Sequence, residues 1–252
     1  MRIERKVGMI IAVLGSLLLA VSGAVPALAG SGPTAGFAHV TGIRFAGTLN
    51  TTSTNFGGWA FGVTAAKSVT AEFKVPALKC TSTTSGIVAS ASIVTGSTSS
   101  SKFSSAGVLL ICSGGNRHLT PAVVVNNTQT NGSQGVHTGD LMQATVTASS
   151  TAMTATIADL TTGHTFKFKK SGTGGTSFEQ LIGDLGIGSP QLPVVNFGKV
   201  SYSKGAVGGK AIGTVTPRTG INMETSSHVL QISTGAISGT ANNAFTTTFK
   251  HS

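Results

Sequence analysis

The chain has 252 residues, 34 of them Gly, with charged side chains at only 10% and a formal net charge of +10. So few Glu, Lys and Arg cannot furnish the polar faces of a helical bundle, and the alternating runs of Val, Ile, Phe and Thr exclude a disordered chain. The basic residues are scattered and only Lys167, Lys169 and Lys170 cluster, which argues against nucleic acid as a partner and for a solvated face; affinity for acidic wall glycans is the alternative.

Residues 1–29 carry the three parts of a secretory signal. Arg2, Arg5 and Lys6 form the basic start, Met9 to Val21 the apolar run, and Ala27-Leu28-Ala29 after Pro26 the cleavage site. The run spans 13 residues, short of the roughly 20 that cross a bilayer, so cleavage after Ala29 is expected rather than a retained anchor. No later stretch is long and apolar enough to span. The mature protein is then secreted and extracellular, without a membrane partner. It is 223 residues long and carries a net +8, since the leader holds Arg2, Arg5 and Lys6 against Glu4, a net +2.

Residues 30–54 read as a loose N-terminal segment and first strand. Strand signals then recur, separated by turn residues. Val69, Ala71, Phe73 and Val75 alternate with polar residues until Pro76. Val108–Ile111 and Val123–Val125 are apolar runs suited to strands buried on both faces. Met142–Ala148, Met153–Ile157 and His164–Lys169 read as an antiparallel meander, with a turn at Thr161-Thr162-Gly163. Residues 178–186 fit a strand or a turn of helix, and Val194–Tyr202 a further strand. Gly96–Ser101 and Ser171–Thr176 read as loops. Residues 204–252, rich in Gly, Ala and Thr, read as added strands or a tail. Asn50, Asn126 and Asn131 stand in glycosylation frames, which arise by chance in so Thr-rich a chain. The fold class is all-β, a single domain.

Cys80 and Cys112 are the two cysteines. In an exported chain they are expected to pair, closing a loop of about 30 residues worth roughly 3–4 kcal/mol in the chain-entropy model. A metal pair is the weaker reading, because no His or Cys partner stands at ligand spacing. No metal or cofactor is expected.

Motifs for a nucleophilic serine elbow, a zinc protease or a phosphate loop are absent. The six His are dispersed. Of the acidic residues, Glu72 alternates outward on a strand, and Asp140 and Asp159 border turns. Glu179 differs: it precedes Gln180, Leu181 and Ile182 in an apolar run, where burial would raise its pKa into the range useful for general acid–base work. A satisfied strand-edge Glu is the plainer reading from composition.

Six segments, in one order, resemble the secreted glutamic peptidases, the eqolisins, formerly grouped as A4. They are Asn55-Phe56-Gly57-Gly58-Trp59-Ala60; Val69 to Pro76 with Cys80; Gly139-Asp140 with the strand after it; Asp159-Leu160-Thr161-Thr162-Gly163; Ser177-Phe178-Glu179-Gln180-Leu181-Ile182-Gly183-Asp184; and Val195-Asn196-Phe197-Gly198-Lys199-Val200. They cover about residues 55–203. The resemblance implies a concanavalin-like sandwich of two large antiparallel sheets whose concave face binds a peptide. It implies that Glu179 activates water as general base of a hydrolase, an acid endopeptidase. The family's catalytic Gln has no counterpart: alignment on Gly107 and Cys112 puts Ser105 there, and a gap shift would put Leu110 there instead. The cleft aromatics are also missing, and Trp59 is the single Trp, expected to help bind substrate. The alternative is a pseudoenzyme, a non-catalytic module that binds an extracellular peptide or glycan on the same sandwich.

Overall fold

The computed structural model describes residues 49–81, 85–95, 102–161, 165–186 and 193–251. The signal and its cleavage site, the Gly96–Ser101 loop and the Thr162-Gly163 part of the turn lie outside them. The strands are β1 (Leu49–Ser53), β2 (Phe56–Phe61), β3 (Ser68–Lys74), β4 (Ser85–Thr95), β5 (Lys102–Ser113), β6 (Asn116–Val125), β7 (Thr128–Asn131), β8 (Leu141–Ala148), β9 (Ala152–Asp159), β10 (Lys167–Thr173), β11 (Ser177–Gly186), β12 (Lys199–Val207), β13 (Lys210–Ala211), β14 (Arg218–Glu224), β15 (Leu230–Thr234) and β16 (Phe245–Phe249). Among the described residues the helical content is one 3-10 turn, Ile212–Thr214.

The strands form one hydrogen-bonded path that doubles over into a β-sandwich. The back layer runs β10-β9-β8-β3-β12-β16 and the front layer β14-β2-β11-β4-β5-β6-β7, with β15 joining the two. The pairs are antiparallel except β1 with β14. β8 and β9 lie against β4, β5 and β6, and the main core fills the space between layers, with Phe61, Phe73, Val108, Leu110, Met142, Ile157, Ile182 and Tyr202 among its members.

Alternation decides the back layer. Met142, Ala144, Val146 and Ala148 of β8 are buried while Leu141, Gln143 and Thr145 are partly exposed, as expected of a strand with one face inward. The apolar runs in β5 and β6 are buried on both faces. Their second face carries a smaller cluster: Phe103, Leu109, Ile111, Ala122 and Val124, with Phe56, Ala60, Leu181, Leu185 and Ile221 from the neighbouring strands. Asn126 and Asn127 both take positive φ in the two-residue turn between β6 and β7, the conformation such a hairpin needs. The Asn126 amide also donates to the Thr173 carbonyl at 2.8 Å, fastening the turn to the end of β10. Gly58 and Gly183 face each other across β2 and β11. A Cβ on either would strike the other's backbone.

Several boundaries differ from expectation. β10 begins at Lys167 and takes in Ser171–Thr173, because those residues pair with Thr154–Ala152. Val194–Phe197 does not join a ladder; an isolated Lys79–Asn196 bridge ties it to the segment after β3, and its Val and Phe side chains fill the core instead. Residues 178–186 are strand. Residues 204–252 supply β13–β16 and the end of β12, which connect the two layers. Cys80 and Cys112 are disulfide-bonded, with 5.3 Å between their Cα atoms.

Candidate active site

Residues paired directly across a sheet share a face. Registers through the front layer set Glu179 opposite Val94, and Val94 opposite Phe103. The next row runs Ala60, Leu181, Ser92, Ser105, Val124. Glu179 and Ser105 therefore lie on one face, the face of the smaller apolar cluster, with β4 between their strands. Strand spacing and rise put their backbones roughly 12 Å apart, two strands across and two residues along. The Ser105 side chain is too short to span that gap, so the pair can meet only through something bound between them.

Glu179 sits beside a bulge: Ser177 pairs with Thr95 and Glu179 with Val94, leaving Phe178 as the extra residue. Bulges re-aim side chains and recur next to active sites. Glu179 is 7% exposed, and burial pushes its carboxyl from 4.5 up to about 7. Ala60, Leu181, Phe103 and Val124 on this face carry no charge to offset that.

The other carboxylates are occupied in structural roles. Glu72 lies on the outer face of β3, level with Gln143, as its alternation suggested, but is covered there; it accepts from Lys204 Nζ at 3.1 Å and from the Gln143 amide at 3.3 Å. Asp140 accepts from the His137 backbone N–H, and Asp159 from that of Thr161. Glu224 lies 3.6 Å from His228. Asp184 is wholly buried on the opposite face of β11, between the layers, where Tyr202 donates to its Oδ1 at 2.8 Å. Burial raises its pKa from 3.8 to about 7, against smaller lowering effects of Thr247 and Tyr202. Among the described residues, neither the Thr247 hydroxyl nor Asp184 Oδ2 has a partner at full hydrogen-bond geometry.

Trp59 does not join Glu179. It pairs with Ile182, so it points between the layers, where its indole N–H donates to the Gly235 carbonyl at 3.0 Å. At 4% exposed the residue expected to bind substrate is a core residue. All six residues of β2 are buried, so alternation could not show which way it points. Gln180 and Ser177, which flank Glu179, were not singled out by sequence; a polar pair bracketing a Glu in an apolar run is the one available signal. Among the described residues, no three His, Cys, Asp or Glu gather as metal ligands would.

No curated protein matches the chain. Solved structures share its fold. A scytalido-glutamic peptidase with a peptide-based transition state analog aligns with a TM-score of 0.63 at 18% identity, over 78% of this chain and 98% of that one. A member of the Eqolisin family in a complex with the tripeptide Ala-Ile-His gives 0.59 at 18%, over 78% and 98%. The aspergilloglutamic peptidase from Aspergillus niger gives 0.51 at 18%, over 66% and 99%. Identities this low carry the architecture alone. A model described as the Peptidase A4 family matches residues 54–246, taking in the strands after residue 203, and the chain belongs to that family.

Proposed function

We propose that this protein is a secreted hydrolase of polypeptides in which Glu179 is the general base. The observation that carries the reading is one buried carboxyl, raised to about 7 by burial, beside a β-bulge and on the same sheet face as Ser105. The Glu179 carboxylate would take a proton from water as the water oxygen adds to the scissile carbonyl. The same proton would then pass to the departing amine as the C–N bond breaks. The oxyanion formed between these steps needs a donor. Ser105, which one alignment of the sequence sets against the glutamic peptidases' Gln, could supply one hydroxyl hydrogen.

The raised pKa moves the expected working range away from acid. A base must be ionised to act, so cleavage should rise with pH through about 7. This replaces the acid optimum that the family resemblance implies. The position of Ser105 favours a second reading, in which the face binds an extracellular peptide or glycan without cutting it, because the hydroxyl is distant from the carboxyl. Digestion of a denatured protein between pH 4 and 9 separates the two. Cleavage that is lost in Glu179→Gln and rises through neutrality supports the hydrolase. Cleavage unchanged in Glu179→Gln sinks it, and silence of the wild type with retained peptide binding supports the module.

A further inference from the structure

The two residues that bracket the Phe178–Glu179 bulge are both tied to the loop between β2 and β3. Gln180 is fully buried, and its amide is matched to the main chain of a single residue. Its Nε2 donates to the Val63 carbonyl at 3.0 Å, and its Oε1 accepts from the Val63 N–H at 3.3 Å. On the other side of the bulge the Ser177 hydroxyl donates to the Ala66 carbonyl, and the Ser177 carbonyl accepts from the Ala65 N–H at 2.7 Å. The loop is itself a tight turn, closed by Ala66 N–H to the Val63 carbonyl at 3.2 Å, with Ala65 at φ 58°, a left-handed conformation that Ala seldom adopts.

A buried Gln among core side chains is costly unless both ends of its amide are satisfied. Here both are, by one residue, as a neighbouring strand would satisfy them. The extra residue of a bulge has no ladder partner, so the backbone at 178–179 needs fixing from elsewhere. Gln180 and Ser177 supply that on both flanks.

We propose that Gln180, with Ser177, is a positioning residue for Glu179: by gripping Val63 it holds the bulged backbone of β11 and so sets where the Glu179 carboxyl stands on the front face. This rests on Glu179 being the reactive carboxyl. The grip faces away from that carboxyl, so Gln180 touches no substrate and acts through backbone geometry alone.

The test is Gln180→Met, which keeps length and removes both hydrogen bonds. The Glu179 carboxyl carbon is followed by NMR against pH, assigned by its loss in Glu179→Gln. In folded Gln180→Met the Glu179 midpoint should fall by about one pH unit as the carboxyl moves toward water. kcat should fall about ten- to a hundred-fold with KM little changed, as misplaced reacting groups do. A merely structural Gln180 would lower the melting temperature and leave the Glu179 midpoint where it was, and that result overturns the proposal. If Gln180→Met does not fold, Ser177→Ala is read the same way, and an unmoved midpoint there overturns it equally. A wild type that cleaves nothing, with a midpoint that still shifts in Gln180→Met, upholds the positioning and removes the hydrolase reading.

Discussion

Asp184→Asn should relieve a loss of stability that the native fold suffers as pH rises. The carboxyl lies between the layers with one oxygen bonded to Tyr202 and the other unpartnered, and burial raises its pKa from 3.8 to about 7. A group that binds its proton more tightly when folded stabilises the fold fully below the unfolded pKa, and that contribution is lost as pH climbs through the folded one. The window is therefore about pH 4 to 7. A shift of about three units corresponds to something on the order of 4 kcal/mol, a large share of a domain's 5–15 kcal/mol. Glu179 works in the same direction over a similar window, so wild type should weaken by more than Asp184 alone accounts for. Urea unfolding with the disulfide intact, at steps from pH 4 to 8, measures this. Asp184→Asn should flatten the slope by about half, and the neutral amide should be the more stable protein above pH 7. An Asp184→Asn slope equal to that of wild type would mean the carboxyl is not held neutral in the core, and the argument from its burial would fall.

Two more outcomes can be checked directly. Gly183→Ala should destabilise by about 1–3 kcal/mol, the usual range for forcing atoms into a filled space, because the added Cβ meets the backbone of Gly57 and Gly58; a melting temperature within error of wild type would contradict that close approach. Ser105→Gln should increase cleavage in a digestion assay at neutral pH, since the longer amide reaches further across the face toward Glu179, and an oxyanion donor is worth about a hundred- to a thousand-fold; an unchanged rate would mean the face differs from the aligned one by more than this residue.

Much of the architecture was legible because one-sided burial writes itself into sequence. β8 and β9 alternate cleanly since only one face of each meets the core, and the doubly buried β5 and β6 read as apolar runs. Legibility ended where long-range pairing decides. The start of β10 depends on β9 rather than on its own residues. The strands after residue 203 are unremarkable locally and become structural only by joining β2 and β12. The Glu179 carboxyl was visible as a charge in an apolar run. The grip beside it was not, because the partner of Gln180 lies 117 positions away. Trp59 was misdirected for the reason that β2 is buried throughout.

The ends of the hydrogen-bonded path have a consequence for how the protein behaves in a crowd of its own copies. A terminal strand offers unpaired amides on which another chain can add and begin a fibre. The path ends at β10 on one side and β7 on the other. β10 carries Lys167, Lys169 and Lys170, all exposed, and stacking a second copy there would set like charges side by side in a medium that must first strip their water. β7 is four polar residues long, Thr128–Asn131, too short to template an extended partner. The lysines that read on the sequence as a solvated face therefore line an open edge of the sheet, where charge opposes the addition of another strand.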